Sequence, residues 1–317
     1  MINFAIKKLL VAMWIIFQEG KMMNKIKKLW LKIIGKYKPW SIGVFRVDKE
    51  SLFELNSLIP KQPTIDAKDI KDCKASFVAD PFLVKEAGKI YCFFEIKDED
   101  KNKGVIGVSS SNDGVNFIYE KIVLEEPFHL SYPSIYKVDG VYYMIPESGA
   151  NRDIRLYEAT NFPHEWRLKK VLLQGENYAD STMVYHDDMW YMFVSRNTND
   201  TLEIFYSKTL DGDYIAHAQN PIYIDNKKYA RNGGSIIQKD TKLYRLAQDC
   251  QNRYGEKLYL IKVINLSPNE FNEEIIKEIL SPKLGIGWNT KKMHHLSFID
   301  IDDSYLVAVD GEGYNKR

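Results

Sequence analysis

Cysteine is scarce in this chain, and long apolar runs are missing from it. The three cysteines among 317 residues, Cys73, Cys92 and Cys250, have no C-x-x-C spacing, so neither a disulfide framework nor a thiolate zinc site is expected. The apolar segment LLVAMWIIF covers nine residues, which is too few to span a bilayer. No G-x-G-x-x-G follows a predicted strand and no P-loop occurs, which excludes a Rossmann-type nucleotide-binding domain.

Positive charge is concentrated near the N-terminus. Residues 1–40 hold nine lysines and one acid, whereas residues 41–317 carry a net charge of −7. The acidic body argues against nucleic acid as a partner. Apolar side chains recur at helical spacing among the lysines: Ile26, Leu29, Trp30, Ile33 and Ile34. This pattern predicts that residues 1–40 form a short, basic, amphipathic α-helical arm that lies on an anionic membrane surface.

No small-x-small cleavage site follows the apolar segment of the arm. We therefore expect a cytoplasmic protein that the arm holds peripherally at the inner face of the plasma membrane. Two alternatives stay open for the arm. It is a solvated helix packed on the domain, or it is an upstream extension if translation starts at Met22 or Met23.

A hairpin-like phrase occurs five times, with copies that begin near residues 79, 132, 179, 232 and 295. Each copy has a small or polar first residue, an apolar strand, a tight polar turn and a second strand rich in Tyr, Trp or Leu. The first two copies read ADPFLVKEAGKIYCFFE and YPSIYKVDGVYYMIPES. The copies lie 47 to 63 residues apart, close to the 40–50 residues of a four-stranded propeller blade.

The repeats predict an all-β fold, a five-bladed β-propeller over residues 41–317. Two more strands fit after each of the first four hairpins, whereas the fifth unit stops at Asp310 with two strands. We expect residues 41–47 (SIGVFRV) to close the last blade from the other end of the chain, because a ring leaves no open sheet edge. Two β-sandwiches are the alternative, but they do not require the same hairpin five times at blade spacing.

Equivalent positions of successive blades converge on a propeller axis, so the first residues of the repeats and the ends of their second strands should surround one pocket. These positions are far more polar than positions near a core usually are, and charged groups there need partners or a polar ligand. Acids, amides and aromatic rings in one pocket suit a polyhydroxylated ligand. The first positions are Asp80, Tyr132, Asp180, Asn232 with Arg231, and His295 with His294; the strand ends are Glu95, Glu147, Arg196, Gln248 with Asp249, and Asp310.

The repeated hairpin, with ADPF at 79–82, resembles the superfamily of five-bladed propeller glycosidases. This superfamily includes the arabinanases and xylosidases of glycoside hydrolase family 43 and their invertase and levansucrase relatives. Several phrases resemble more closely the N-terminal propeller domain of plant glucosamine inositolphosphorylceramide transferases and its stand-alone bacterial relatives. These phrases span about residues 77–311 and are ADPF, FFE (93–95), HLSYPSIY (129–136), YMIPES (143–148), HAQNPI (217–222), ARNGGSI (230–236), LYRLAQD (243–249), YG (254–255) and HHLSF (294–298).

The resemblance to family 43 implies inverting hydrolysis with an Asp base in blade one, a pKa-tuning Asp in blade two and a Glu acid in blade three. Asp80 lies in the matching phrase and is the candidate base. Blade two offers Tyr132 and blade three offers Asp180, so the hydrolase set is incomplete. We select Asp80, Glu147 and Asp180 as candidate catalytic residues, because close carboxylates raise one another's pKa. The alternative for each acid is an ion pair with an arginine.

The remaining polar positions are candidate substrate-binding residues. Adjacent histidines on a strand point to opposite faces and no H-x-H or H-x-x-x-H pattern occurs, so we expect no metal, and we expect no cofactor. The arginines could clamp the phosphate of a sugar nucleotide or a lipid-linked sugar. The candidates are Glu95, His129, Tyr132, Arg196, Arg231, Arg245, Gln248, Asp249, His294, His295 and Asp310.

Three functions remain open from the sequence. The first is a glycan-modifying glycosyltransferase that acts on surface-polysaccharide or glycolipid precursors at the cytoplasmic membrane face. The second is an inverting glycoside hydrolase of the family 43 type. The third is a sugar-binding propeller without catalysis, because the transfer chemistry of the plant relatives is attributed to a separate C-terminal domain. A carbohydrate or sugar-phosphate ligand is expected in each case.

Overall fold

The computed structural model describes residues 35–316, which form five antiparallel sheets arranged as the blades of a propeller. The predicted all-β, five-bladed fold is confirmed. Within this range the helical elements are three single-turn 3₁₀ helices, at Lys49–Ser51, Ala67–Asp69 and Gly149–Asn151. No helix in the described part is long and apolar enough to cross a membrane. The predicted amphipathic helix lies outside the described residues.

The strands of the first three blades follow one another from the axis outward. The first strand of the chain, β1 (Gly35–Asp48), belongs to the last blade. Blade one consists of β2 (Ala75–Glu86), β3 (Lys89–Asp98), β4 (Lys103–Ser111) and β5 (Ile118–Leu124). Blade two consists of β6 (Ser131–Val138), β7 (Val141–Ser148), β8 (Asp153–Asn161) and β9 (Glu165–Gln174). Blade three consists of β10 (Tyr178–His186), β11 (Met189–Arg196), β12 (Leu202–Ser207) and β13 (Ile215–Ala216).

The innermost strand of blade four is broken in two by a pair of glycines. Its halves, β14 (Arg231–Asn232) and β15 (Ile237–Lys239), both pair with β16 (Lys242–Asp249), which is followed by β17 (Lys257–Leu266) and β18 (Phe271–Leu280). Gly234 has φ +143°, and a Cβ there would lie 2.0 Å from the carbonyl oxygen of Leu296 in the next blade. Only glycine therefore allows the two inner strands to come this close at the axis.

The last blade is closed by the N-terminal strand, as predicted. It contains β19 (Gly287–Lys292), β20 (Leu296–Ile301) and β21 (Ser304–Lys316), and β1 pairs with the free edge of β21. The closing strand is longer than the predicted segment 41–47, because it begins at Gly35, inside the predicted arm, and ends at Asp48. A register shift between Lys38 and Ser41 accommodates Pro39, which has no N–H for the ladder.

Clusters of apolar side chains fill the spaces between adjacent blades. Between blades one and two, for example, Phe93 and Met144 are fully buried in one cluster, and between blades two and three Ile145 and Met192 share another. Near the axis, the buried acids Asp80, Asp180 and Asp310 lie together with the buried aromatic rings of Phe82 and Tyr132. The fold thus concentrates its hydrophobic stabilisation away from the place where the candidate site lies.

Candidate functional site

A β-bulge opens the innermost strand of each of the first three blades. The register shifts between Ala79 and Phe82 in blade one, and at the equivalent positions in blades two and three. The bulged residues Asp80, Tyr132 and Asp180 have φ values of +54°, +45° and +46°. Non-glycine residues in this conformation cost about 1–3 kcal/mol each, and such strain is concentrated at functional sites.

The N–H groups of these bulged residues are held by carboxylates of the neighbouring blade. The Asp80 N–H donates to Asp310 at 3.1 Å, the Tyr132 N–H to Asp80 at 3.2 Å and the Asp180 N–H to Glu147 at 3.2 Å. The three predicted catalytic residues therefore lie in two hydrogen-bonded groups, one that joins Asp80 to Asp310 and one that joins Asp180 to Glu147. Asp310 of blade five thus positions Asp80 of blade one, and Glu147 of blade two positions Asp180 of blade three.

Both histidines of blade five face Asp80, contrary to the prediction that adjacent histidines point to opposite faces. His294 and His295 precede β20 and are not in an extended strand, because both of their N–H groups donate to one oxygen of Asp310, at 3.2 and 3.1 Å. The His294 Nε2 and the His295 Nδ1 atoms each lie 3.8 Å from the same Asp80 oxygen. The carboxylate of Asp310 thus overrides the strand geometry on which the prediction relied.

Charges in this half of the site are strongly perturbed. Burial, followed by repulsion from Glu95 and Asp310, raises the pKa of Asp80 well above its usual value. Burial also acts on Asp310, but the charge and hydrogen bond of His294 outweigh it and lower the pKa of that carboxyl. Burial lowers the pKa of His295 to about 4, so this imidazole is neutral near pH 7. Relative to a free aspartate, the protonated form of Asp80 is therefore favoured, whereas in Asp310 the ionised form is favoured.

The other half of the site is organised by Arg231. Its Nε donates to Asp180 at 2.6 Å, one terminal nitrogen lies 3.3 Å from Glu147, and the other donates to Asn199 at 2.5 Å. Gln248 donates to the same Asp180 oxygen at 2.9 Å. Burial and the charge of Asp180, partly offset by Arg231, raise the pKa of Glu147 to about 8. The carboxyl group of Glu147 thus holds a proton at neutral pH.

His129 and Glu95 form a third predicted pair that the structure brings together. The His129 Nε2 lies 3.2 Å from Glu95, and its Nδ1 accepts the N–H of Gly104 at 2.8 Å. Burial would lower the pKa of His129, but the hydrogen bond and charge of Glu95 outweigh it and raise that pKa. A Cβ at Gly104 would lie 2.2 Å from the carbonyl oxygen of Leu130, so this glycine is needed for the pair to form.

Several predicted binding residues have structural partners instead. Arg245 is 1% exposed and forms a 2.6 Å ion pair with Glu273, so it is not placed to meet a ligand. The Tyr132 hydroxyl donates to the Gly234 carbonyl at 2.8 Å, so Tyr132 contacts Asp80 through its backbone N–H and not through its hydroxyl. The Asp249 carboxylate accepts an N–H of its own turn, from Gln251, at 2.9 Å.

Arg196 lies beside the site rather than in it. It forms ion pairs with Glu176 at 2.7 Å and Glu203 at 2.6 Å, and its guanidinium lies 5.3 Å from the centroid of the Tyr178 ring. These residues border a cleft of about 540 Å³ that is lined by Glu176, Asn177, Arg196, Asn197, Thr198, Thr201, Glu203, Pro221 and Ile224. The side chain of Arg196 therefore lines this neighbouring cleft.

Two aromatic residues of the site were missed from the sequence. Trp40, at the bulge of β1, stacks on His294 with ring centroids 4.1 Å apart. Tyr254 meets His294 edge-on at 5.4 Å, and the Arg231 guanidinium lies 5.0 Å from its ring centroid. The phrase YG at 254–255 was a signal for Tyr254, whereas Trp40 lay in the segment assigned to the basic arm.

One group of described residues could hold a cation. Asp80, His294 and Asp310 each offer a ligand atom, and these atoms lie within 4.8 Å of one another. Two carboxylates and an imidazole form a mixed oxygen and nitrogen donor set. The Nδ1 of His294 already bonds Asp310 at 2.9 Å, which leaves its Nε2 as the available donor. The expectation that the site has no metal stays a prediction.

Comparisons with known proteins agree with the resemblance seen in the motifs. The family described as "Glucosamine inositolphosphorylceramide transferase 1, N-terminal" matches residues 38–312. Glucosamine inositolphosphorylceramide transferase 1 of Oryza sativa subsp. japonica is 39% identical over 249 residues, which are 75% of this chain and 33% of that protein. The protein of the same name from Arabidopsis thaliana is 34% identical over 299 residues, which are 86% of this chain and 39% of that protein.

The matched region spans only about a third of the length of these curated relatives. Among solved structures, the exo-β-1,3-galactanase 1,3Gal43A from Clostridium thermocellum superposes with a TM-score of 0.54 at 14% identity, over 67% of this chain and 51% of that one. A likeness at this identity shows the fold alone, and it confirms the predicted resemblance to glycosidase propellers. Because the family match covers nearly all described residues, the chain belongs to the family of the N-terminal domain of glucosamine inositolphosphorylceramide transferase 1.

Proposed function

We propose that the propeller is a glycosyltransferase that uses its axial pocket to modify a glycolipid or surface-polysaccharide precursor. The observation that carries the proposal is that Glu147, whose pKa is raised to about 8, lies 3.3 Å from the buried guanidinium of Arg231 and close to Asp80, whose pKa is also raised. Such groups donate hydrogen bonds and protons to sugar oxygens near neutral pH. The names of the curated relatives, which are transferases, support the same class of reaction.

In this proposal Glu147 is the proton donor. With a pKa raised to about 8 it holds its proton at neutral pH and can protonate an oxygen of the sugar ligand. Once it has donated, Arg231 at 3.3 Å stabilises the resulting carboxylate. Asp180, bound to Arg231 at 2.6 Å, holds the guanidinium in place for this role.

Hydrolysis fits the site less well than transfer. An inverting hydrolase needs an ionised base that activates water on the far side of the sugar. Burial and its acidic neighbours raise the pKa of Asp80 well above its usual value, which disfavours the ionised form that a base requires. It therefore donates a hydrogen bond to a ligand hydroxyl more readily than it activates a water molecule.

The proposed acceptor lies at a membrane. The seven lysines that precede β1 would attract anionic lipid at about 1 kcal/mol each near the surface. We place the protein in the cytoplasm, peripherally at the inner face of the plasma membrane, where lipid-linked glycan precursors are within reach of the axial pocket. Vesicle flotation of the full chain with and without anionic lipid tests this placement.

Screening the purified protein against nucleotide sugars and glycosides tests the reaction. A ligand at 100 times its dissociation constant stabilises a protein by about 2.7 kcal/mol, which a thermal shift detects easily. Glu147→Gln should abolish sugar transfer while Glu125→Gln, which alters a surface ion pair with Lys101, should leave it intact. Sugar transfer that persists unchanged in Glu147→Gln would remove the case for this residue as the acid.

A sugar-binding propeller without catalysis is the second candidate. One observation favours it. Arg231 already forms an ion pair with Asp180 and lies beside Glu147, so these charged groups have partners without a reacting substrate. Two polar groups still point to a ligand, since the amide oxygen of Gln248 and the ring nitrogens of His295 are buried without a partner among the described residues. Undiminished glycan affinity in Glu147→Gln, with no turnover in any variant, would favour binding alone.

A further inference from the structure

A cleft between blades two and three has aromatic walls and no assigned role. It has a volume of about 680 Å³, within the roughly 300–1,000 Å³ that is typical of small-molecule sites. Tyr143 of blade two stands on one side, and Tyr185 and Trp190 of blade three stand on the other. Tyr185 is 49% exposed, so a large flat ring is open to solvent at the mouth of the cleft.

This aromatic cleft lies on the opposite face of the propeller from the axial acids. Strand β6 begins at Ser131, next to the bulge at Tyr132, and ends at Val138, which lines the cleft. Eight residues of extended strand cover about 23 Å, at about 3.3 Å per residue. The turns that border the cleft, at Asp139 and at Lys208, are likewise at the far ends of their strands. A ligand in the aromatic cleft therefore cannot touch the axial pocket.

The rings that form the walls are held in fixed positions by the strands. Tyr136 and Tyr143 are a cross-strand pair in blade two, and Tyr185 and Trp190 are a cross-strand pair in blade three. The Trp190 ring lies 5.4 Å from Tyr185 and meets Tyr136 edge-on at 6.2 Å. The hydroxyl of Tyr136 accepts the N–H of Met183 at 2.8 Å, which joins the two blades beneath the rings. The platform is thus preorganised, and binding does not have to order it.

Charge around the aromatic cleft is balanced. Its lining holds two lysines, Lys137 and Lys208, and two acids, Asp139 and Asp211. Lys137 is already paired with Glu86 at 2.6 Å. The lining therefore has no preference for an anion or a cation, and it offers hydrogen-bond donors and acceptors around two aromatic rings, Tyr185 and Trp190, whose planes are tilted by 51°. Hydroxyl-rich, uncharged ligands with one apolar face match this combination.

We propose that the aromatic cleft is a second carbohydrate site, which binds a neutral oligosaccharide chain through stacking on Tyr185 and Trp190. The concave shape favours a chain ligand over a protein partner, because protein interfaces of useful affinity need about 800 Å² from each side. The proposal does not depend on catalysis at the axis. It gives the propeller a means of holding a glycan at one face while the axial pocket meets a sugar at the other.

Affinity electrophoresis tests the proposal with the full chain in native gels that contain xylan, arabinan, galactan or, as an anionic control, hyaluronan. We expect retardation by at least one of the three neutral polysaccharides, and we expect Tyr185→Ala to weaken it by about tenfold or more. Tyr185→Phe, which keeps the ring, should behave as wild type. Ile118→Ala is the matched surface control, since Ile118 is 72% exposed on the outer strand of blade one.

The outcomes separate this site from the axial one. Retardation that survives Glu147→Gln but not Tyr185→Ala, with neither variant melting below wild type, supports the aromatic cleft. Retardation by none of the neutral polysaccharides, or a preference for hyaluronan, overturns the proposal. Loss in Glu147→Gln with retention in Tyr185→Ala also overturns it, because the binding would then belong to the axial pocket. If Tyr185→Ala is destabilised, Asp211→Ala at the exposed rim gives the same readout.

Discussion

Replacing Glu147 by glutamine should stabilise the protein increasingly as the pH rises. The carboxyl is buried beside Asp180, and its pKa is raised from 4.5 to about 8. An acid whose pKa is raised by folding contributes its full stability below about pH 4.5, where it is protonated in both the folded and the unfolded state. As the pH rises from about 4.5 to about 8, the unfolded state ionises first, and this contribution to stability is lost. Glutamine keeps the shape of the protonated side chain and never ionises, so the variant escapes the loss.

The size of the gain follows from the shift in pKa. Each unit corresponds to about 1.4 kcal/mol, so a rise from 4.5 to about 8 sets an upper limit of about 5 kcal/mol above pH 8. In the variant, Arg231 keeps its 2.6 Å bond to Asp180, so the rest of the cluster has no new unpaired charge. We expect a gain of at least about 2 kcal/mol at pH 9, or roughly 4 °C in melting temperature.

Urea titrations at pH 5, 7 and 9 measure this gain. Wild type and Glu147→Gln should have nearly equal free energies of unfolding at pH 5 and should diverge towards pH 9. Glu125→Gln serves as the control, because Glu125 pairs with Lys101 at the surface and its pKa is lowered, so this variant should show no gain at high pH. A difference between Glu147→Gln and wild type that is constant from pH 5 to pH 9 would refute the reasoning, since Glu147 would then be ionised throughout.

Three further predictions concern residues with structural roles near the site. Arg245→Met leaves the buried Glu273 without its cationic partner and should lower the free energy of unfolding, measured by urea titration, by about 3–5 kcal/mol. Glycan affinity should stay unchanged, and weaker glycan binding by the folded variant would show that Arg245 contacts the ligand. Arg231→Met should destabilise more at pH 8 than at pH 5, because two acids lose their cation; an equal loss at both pH values would contradict this. Gly104→Ala should cost about 1–3 kcal/mol by overpacking against the Leu130 carbonyl, and an unchanged melting temperature would show that the strand can move away.

The blades and the axial acids could be predicted because repetition carries positional information. Once five hairpins are aligned, Asp80 and Asp180 occupy the same place in their blades, and a propeller brings that place to the axis. The same alignment located Glu147 at the end of its second strand. These predictions needed only the blade spacing and the closure of the ring, which depend on local strand patterns.

The errors arose where a side chain or a loop departs from the repeat. Arg245 lies three residues before Gln248 on β16, and so on the opposite face of the strand, where Glu273 of β18 pairs with it. The orientation of His295 depends on a carboxylate fifteen residues further along the chain, Asp310. The contact between Trp40 and His294 depends on where β1 begins, and the lysines around it resembled an arm. Contacts between residues that are far apart in the chain do not produce a repeating pattern in the sequence, so they could not be predicted from it.

The pairing of β1 with β21 has a consequence for how the chain reaches its folded state. Gly35 lies opposite Lys316 and Asp48 lies opposite Ser304, so the earliest described strand finds its partner only after the four intervening blades have been synthesised. Contacts of such large sequence separation make folding slow and leave strand edges exposed to aggregation until they form. A circular permutant that links residue 35 to residue 316 and opens the chain between two blades would turn this most distant pairing into a local hairpin, and it should refold faster with the same pocket.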